Sequence, residues 1–175
     1  MHTRRIGDVE ASAIGLGAMP MSIEGRPDEA RSLAGLHAAP DAGVTLIDTA
    51  DACHRGAGGI LGGRSACVQN QFSPAFRSSG PEPELCDGLG VAFLPRSPFG
   101  GISRAGEPGS AYAPFARIAE AHRVSPHRMC LAWTPARSPV VVPIPGASRP
   151  QSVRDATGAA DLVLTADEVA EPDAA

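Results

Sequence analysis

Lysine is absent from this chain of 175 residues, and all 15 of its basic side chains are arginines. Any mechanism that needs a lysine ammonium group is therefore excluded. The 19 acidic residues outnumber the arginines and give a formal net charge of -4. This charge provides no general attraction for nucleic acid or for an acidic membrane surface, so neither is expected as a partner.

Aromatic residues are also scarce, at 4% of the chain, with a single tryptophan and a single tyrosine. The four cysteines form no Cys-x-x-Cys pair and no regular framework, which favours free thiols in a reducing cytoplasm. No stretch approaches the roughly 20 apolar residues of a membrane helix. The pair Arg4-Arg5 is not followed by the apolar segment of a signal peptide. We therefore expect a cytoplasmic protein without a membrane partner.

The chain does contain enough apolar sequence, 43% of its residues, for one domain with a real core. The domain is organised around VTLIDTADAC, residues 44–53. Val44–Ile47 is a short β-branched run after the turn formers Ala42-Gly43, which is typical of a buried parallel strand. Asp48 follows at the carboxyl end of this strand, where ligands bind in parallel α/β folds. Asp48 is thus a candidate catalytic residue, and the alternative is an ordinary aspartate at a strand end.

Strand and helix patterns alternate along the rest of the chain. A hairpin is predicted over residues 1–12 with its turn at Gly7-Asp8. Further strands are predicted over residues 12–19, 44–47, 66–69, 90–95 and 140–144. Helices are predicted over 27–40, 83–89, 113–122, 126–135 with Ser125 as N-cap, 150–160 and 166–172, several of them ended or kinked by proline. The last of them follows a capping box formed by Thr165 and Glu168. The glycine-rich segment 52–65 and residues 98–111 are predicted as loops.

Several segments, taken together and in this order, resemble a known family. GLGAM and DAGVTLIDTADA near the N-terminus are followed by QNQFS, GVAFLPRSPFG, RIAEAHRVSP and VPIPGASRP. This series resembles bacterial aldo-keto reductases, which reduce carbonyls by hydride transfer from NADPH. The resemblance covers nearly the whole chain outside residues 54–64, and it implies a small carbonyl compound as substrate and NADP(H) as cofactor.

The resemblance also implies an α/β fold, the (β/α)₈ TIM-type barrel, which typically has about 250 residues. This chain is much shorter, and its matches correspond to barrel strands 1, 2, 6, 7 and 8. We therefore expect residues 1–175 to form a single partial domain, with the family's central portion missing near residues 62–66. Such an incomplete barrel would retain about five parallel strands, in the order 2-1-8-7-6, with their helices. Its outer strands would be exposed edges through which copies could associate.

The catalytic groups implied by the resemblance are largely missing. The family uses a tyrosine as proton donor, assisted by an aspartate, a lysine and a histidine. Asp48 matches the aspartate, Cys53 stands at the tyrosine position, and the lysine and histidine belong to the absent strands. A thiol is a weak hydrogen-bond donor on a shorter side chain, so Cys53 is not expected to replace the tyrosine. Each lost group of this kind commonly costs about 10²–10⁴-fold in rate, so an impaired or inactive reductase is expected.

An alternative for the Cys53 region is a metal or thiol site formed with His54. The spacing matches no standard zinc pattern, so a polar loop is the other interpretation and no metal is predicted.

By resemblance, Gln69 would hydrogen-bond the nicotinamide amide, and Arg96 replaces the tyrosine that usually stacks on the ring. The loop from Gly146 to Arg149 leads into a helix N-terminus suited to phosphate, or it is simply an unoccupied turn. Ala156 replaces a usual asparagine on the adenosine side, so cofactor binding is expected to be weak or lost. The predicted cofactor-binding residues are Gly17, Ala18, Met19, Asp48, Gln69, Arg96, Ser97, Gly146, Ser148, Arg149, Ser152 and Asp155. A non-catalytic nucleotide-binding or protein-interaction module remains the alternative function.

Overall fold

The structure is a computed structural model, and it describes residues 1–21, 27–48, 67–74, 76–77, 80–99 and 113–174. Several predicted features lie outside these ranges. They are Cys53 and His54, the predicted loop over 52–65, the position of the missing portion near 62–66, and residues 100–111 of the second predicted loop.

The N-terminal hairpin is confirmed. Strand β1 (Thr3–Ile6) pairs antiparallel with β2 (Val9–Ser12) across a turn in which Gly7 has a φ of 60°. This left-handed conformation suits glycine, which has no Cβ to clash with the backbone. Arg4 of β1 contacts a segment distant in sequence, where it donates hydrogen bonds to the carbonyl oxygens of Ser138 at 3.0 Å and Pro135 at 3.3 Å.

The remaining strands pair in parallel. Strand β3 (Leu16–Gly17) pairs with β4 (Ile47–Asp48), and β5 (Cys67–Gln71) pairs with β6 (Ala92–Arg96). An extended segment over residues 141–146 joins the two pairs through parallel bridges, one between Gly17 and Gly146 and one between Phe93 and Val141. The neighbours therefore run β4, β3, segment 141–146, β6, β5, which confirms the predicted order 2-1-8-7-6.

The predicted last strand over 140–144 is not a regular strand. Pro143 and Pro145 lack an N–H group, so this segment cannot form a continuous ladder. Their carbonyl oxygens still accept hydrogen bonds, each of 2.9 Å, from the N–H groups of Gly15 and Gly17. Proline thus leaves only isolated bridges where a full strand was predicted.

Two other predicted strands are shorter than expected. Only Leu16–Gly17 of residues 12–19 pairs as β3, and only Ile47 of Val44–Ile47 lies in β4. Ser12 and Thr45 explain the difference: each backbone N–H donates to the other residue's hydroxyl, at 2.8 and 3.0 Å. Side-chain hydroxyls here replace ladder partners. Ile47 was expected to be buried, but it is 44% exposed.

Six helices are described. They are α1 (Glu29–Asp41), α2 (Glu82–Leu89), α3 (Ala113–His122), α4 (Pro126–Ala136), α5 (Pro150–Thr157) and α6 (Ala166–Ala174). Short 3₁₀ turns cover Met19–Met21 and Gly158–Asp161. The predicted capping box before α6 is confirmed, because Thr165 N donates to Glu168 Oε2 at 2.8 Å and Glu168 N donates to Thr165 Oγ1 at 3.2 Å.

Helix α3 has its predicted bounds, and the other helices differ from prediction by up to three residues at an end. Helix α1 begins at Glu29 instead of residue 27, because the Asp28 carboxylate is its N-cap and accepts from Arg31 N at 2.8 Å. Pro40 was predicted to end or kink its helix, and Pro135 and Pro172 to cut theirs short; each lies inside a helix that ends one or two residues later. Each sits in the last turns, where few carbonyls remain to be displaced.

The core has two main parts. One surrounds Trp133 of α4, which is fully buried and contacts Phe72 and Phe115. The other joins β3, α1 and α5 through residues from both ends of the chain, including Leu16, Ala39 and Val153. Helix α1 therefore packs beside α5, and the loop before α5 is held next to β3, where a cleft opens.

Candidate cofactor site

A cleft of about 340 Å³ opens at the carboxyl ends of β3, β4, β6 and the 141–146 segment. Its position matches the end of a parallel sheet at which ligands generally bind. All the predicted cofactor residues except Ala18 and Asp155 line it, although they come from distant parts of the chain. The lining comprises Gly17, Met19, Pro20, Arg31, Asp48, Gln69, Arg96, Ser97, Pro98, Phe99, Ile144, Gly146, Ala147, Ser148, Arg149 and Ser152.

Asp48 is held at one side of the cleft by a neighbour from a different strand. Gln69 Nε2 donates a hydrogen bond of 3.2 Å to Asp48 Oδ1. Partial burial raises the pKa of the Asp48 carboxyl above its ordinary value, and the bond from Gln69 opposes this shift. The nearby Asp48 charge adds to burial in raising the pKa of the Cys67 thiol, so this thiol is not activated as a nucleophile.

Two glycines allow the backbone segments around the cleft to approach closely. A Cβ on Gly17 would lie 2.9 Å from the carbonyl oxygen of Ile144, and a Cβ on Gly146 would lie 2.7 Å from Cγ of Pro20. Both separations are shorter than ordinary van der Waals contacts. Gly17, in the strand predicted over residues 12–19, and Gly146, in the loop before α5, are therefore needed for this close packing.

The opposite side of the cleft is the loop that enters α5. Gly146, Ser148 and Arg149 line it, and α5 begins at Pro150 without a side-chain hydrogen bond to its first N–H groups. Unsatisfied N–H groups at a helix start carry partial positive charge and attract anions. The loop is thus positively polarised by its backbone as well as by the Arg149 guanidinium.

Arg31 was not predicted from sequence, yet it lines the cleft from α1 and donates from Nη2 to Ser148 Oγ at 3.4 Å. The sequence does contain a sign that Arg31 is unusual, because it lies in the first turn of a helix, where acidic residues are favoured and cations are not.

Ser97 also has a feature that the sequence does not reveal. Its φ of 55° is uncommon for a residue with a side chain, and such conformations concentrate at functional sites.

The two remaining predicted residues lie elsewhere. Ala18 contributes its backbone N–H, which donates to the carbonyl oxygen of Asp48 at 2.9 Å. Asp155 lines an adjacent cleft of about 520 Å³, where its carboxylate pairs with Arg128 at 3.0 Å and accepts from the Ser125 hydroxyl. The clefts share Phe99, Gly146, Ala147 and Ser152, so they are adjacent along the loop before α5.

No group of three or more His, Cys, Asp or Glu side chains within the described ranges is placed to hold a metal ion. No helix in the same part of the chain is long and apolar enough to cross a membrane.

Residues 61–175 match the Aldo/keto reductase family, and the chain belongs to that family. A similar curated protein is an uncharacterized oxidoreductase of Schizosaccharomyces pombe, which is 30% identical over 106 residues. That match covers 61% of this chain and 33% of the yeast protein, so the matched part spans about a third of the relative's length.

Solved structures show the same relationship in three dimensions. The aldo-keto reductase of Bombyx mori in complex with NADP is 26% identical with a TM-score of 0.54, over 63% of this chain and 37% of that one. An aldo-keto reductase from Klebsiella pneumoniae in complex with NADPH is 18% identical with a TM-score of 0.78, over 99% of this chain and 95% of that one. These likenesses indicate a (β/α)₈ barrel-type fold, and the described residues accordingly form an α/β structure with parallel strands.

Proposed function

We propose that this chain is an NADP(H)-binding member of the aldo/keto reductase family in which carbonyl reduction is impaired or lost. The observation that carries the proposal is the cleft that brings Asp48, Gln69 and the Ser148–Arg149 loop together in a chain without lysine. Because the chain spans only about a third of its curated relative, its activity, its substrate class of small carbonyl compounds and its partners are all part of the proposal.

Cofactor binding is supported by the charge and shape of the two clefts. Among the described lining residues, the arginines Arg31, Arg96 and Arg149 outnumber the one acid, Asp48, so this part of the cleft carries an excess of positive charge. Positive charge and exposed N–H groups suit the phosphates of a dinucleotide. The second cleft lies next to the first and offers room for the rest of an elongated ligand. The NADP and NADPH complexes of the two solved relatives point to the same cofactor.

The nicotinamide end of the cleft is less favourable. Gln69 is the predicted partner of the nicotinamide amide, but its amide group is engaged by Asp48. This bond fixes the orientation of the amide, so a nicotinamide must meet the second Nε2 hydrogen and Oε1 where they stand. The guanidinium of Arg96 would oppose the positive ring of oxidised nicotinamide. We therefore expect weakened binding, with the reduced cofactor favoured over the oxidised one.

Catalysis needs a group that donates a proton to the carbonyl oxygen as hydride reaches the carbon. By resemblance Cys53 stands at the proton donor's position, and the helping lysine has no counterpart in a chain without lysine. The only tyrosine, Tyr112, stands outside the DTADAC segment. Of the family's catalytic residues, Asp48 is the one with a matched position in the cleft. This supports a role for the chain as a binding protein more than as an efficient reductase.

Two measurements on the purified chain test the proposal. Titration followed by NADPH fluorescence should show saturable but weak binding, and NADPH consumption with a panel of aldehydes should stay at the uncatalysed rate. Absence of saturable NADPH binding would refute the cofactor assignment. Steady turnover that Asp48→Asn abolishes would refute the loss of activity.

A second candidate, a protein-interaction module that associates with copies of itself, is favoured by the exposed apolar residues of the outer strands. Ile47 of β4 is 44% exposed and Val68 of β5 is 39% exposed. Exposed apolar strands can pair with another chain. Light scattering over a concentration series should then show a dimer that Val68→Asp dissociates. A monomer at every concentration would rule this function out.

A further inference from the structure

We infer that Arg31 of α1 is a phosphate-binding residue, which forms with Ser148 and Arg149 a two-sided clamp for a phosphate or pyrophosphate group. This inference rests on the proposed function, since the phosphate in question is that of a dinucleotide. It adds a residue from the neighbouring helix α1, which the resemblance does not assign.

The first observation is that the Arg31 guanidinium lacks some of its hydrogen-bond acceptors. Its Nε atom is buried from solvent and has no hydrogen-bond partner among the described residues. The Nη2 bond to Ser148 Oγ is long, at 3.4 Å. A buried donor of a charged group that lacks an acceptor is costly, because it has lost its bonds to water. An anion in the cleft would supply the missing acceptor.

The second observation is the position of Arg31 on its helix. It follows the N-cap Asp28 by three residues and so lies in the first turn of α1, where the helix dipole repels a cation. No carboxylate forms an ion pair with Arg31 within the described part of the chain. The free energy of unfolding gains little from an arginine in this place, so its presence is better explained by a ligand than by the stability of α1.

The third observation is the close approach of α1 to the loop before α5. A Cβ on Gly35, one turn after Arg31, would lie 3.3 Å from the carbonyl carbon of Ser148. Glycine therefore allows α1 to pack directly against the loop before α5. Arg31 and Arg149 then line the same cleft from two adjacent elements, α1 and the loop before α5, and Arg31 bonds the Ser148 hydroxyl between them.

Arginine suits this role chemically. Its planar guanidinium offers parallel N–H groups that match two oxygens of a phosphate, whereas an ammonium group acts as a point charge. In a chain without lysine, the permanently charged side chains available to a phosphate are arginines.

The test compares Arg31→Gln and Arg31→Lys with Arg5→Gln, a control that removes the same charge from a side chain 72% exposed on the N-terminal hairpin. Kd is measured for NADPH by fluorescence, and inorganic pyrophosphate is tested through its effect on Tm. Arg31→Gln should weaken NADPH binding about ten-fold or more and abolish the rise in Tm with pyrophosphate. Arg31→Lys should retain part of both effects, and Arg5→Gln should match the wild type.

The Tm without ligand separates a binding role from a structural one. A binding role predicts that Arg31→Gln has an unchanged or higher Tm in the absence of ligand, whereas a structural role predicts a lower one. NADPH binding by Arg31→Gln that equals the wild type would overturn this inference and leave the proposed function intact. A wild type that binds pyrophosphate through Arg31 but not NADPH would overturn the proposed function alone. Failure of the wild type to bind either probe would overturn both.

Discussion

Gln69 and Asp48 are joined by a hydrogen bond of 3.2 Å, although they lie on the two outermost strands of the parallel arrangement, β5 and β4. The arc of strands therefore curls until side chains from its two ends meet. This contact places a carboxylate and an amide together at the mouth of the cleft. Both the chemistry of Asp48 and the freedom of Gln69 to bind a ligand depend on it.

Asp48 should reduce stability as it ionises. Its pKa is raised in the folded state by burial, so the folded state holds the proton more tightly than the unfolded state. The free energy of unfolding should fall as pH rises from about 4, the ordinary aspartate value, through the raised pKa. Asp48→Asn should remove this dependence and give a slightly higher Tm at pH 7, since asparagine can still accept from Gln69. Thermal melts from pH 3 to 7 measure the effect, and a wild-type profile that rises across this window relative to Asp48→Asn would contradict it.

Gly17→Ala should destabilise the chain by about 1–3 kcal/mol, because its new Cβ would meet the carbonyl oxygen of Ile144 at 2.9 Å. Gly88→Ala is the matched control, since it makes the same change in the last turn of α2 with no atom within 4 Å of the new Cβ. Alanine should there stabilise the helix by up to about 0.5–1 kcal/mol. Urea unfolding of both variants measures the difference. Equal effects of the two changes would show that the close approach at Gly17 is not needed.

Trp133→Ala should lower the free energy of unfolding by about 3–5 kcal/mol. The ring is fully buried, stacks on Phe72 at 5.8 Å and lies beneath the guanidinium of Arg137 at 4.9 Å. Its Nε1 donates to the carbonyl oxygen of Val169 at 3.0 Å, so Trp133→Phe should cost less than alanine but more than zero. Leu89→Ala, at a side chain 73% exposed, is the control and should change stability by less than about 0.5 kcal/mol. Circular dichroism during thermal unfolding gives the ranking, and a Trp133→Ala variant as stable as Leu89→Ala would place the core elsewhere.

Thr165→Ala should cost about 1 kcal/mol through loss of the capping box before α6. The hydrogen bond from Thr165 N, followed by the contact with His122, lowers the pKa of Glu168 in the folded state. Glu168 therefore contributes stability above its unfolded pKa of about 4.3, and this contribution is lost as pH falls through the lower folded value. Glu168→Gln keeps an acceptor for Thr165 N but removes the charge, so it should flatten this acid dependence, whereas Glu168→Ala should also weaken the cap. Melting curves from pH 2 to 6 distinguish the variants, and an unaltered acid profile in Glu168→Gln would exclude the mechanism.

The order of neighbouring strands was predictable because it follows from the family resemblance, and the capping box was predictable because Thr165 and Glu168 interact locally. The strand lengths were not, since they depend on partners distant in sequence. Thr45 reads as part of a strand, yet its backbone N–H donates to the hydroxyl of Ser12, 33 residues earlier. Arg31 could not be assigned to the cleft from its own segment, because Ser148, 117 residues later, is what defines its position. The contact of Asp48 with Gln69 was missed for the same reason.

The contacts between residues 4–17 and residues 138–153 have a consequence for biosynthesis. Arg4 bonds to Ser138, Gly17 is bridged to Gly146, and Leu16 shares a core with Val153. Strands β1 and β3 therefore lack these packing partners until residues 138–153 have left the ribosome. Contacts of such high sequence separation slow folding, because a long loop must close before they form. We expect both strands to stay without their native packing during translation until residues 138–153 have been made.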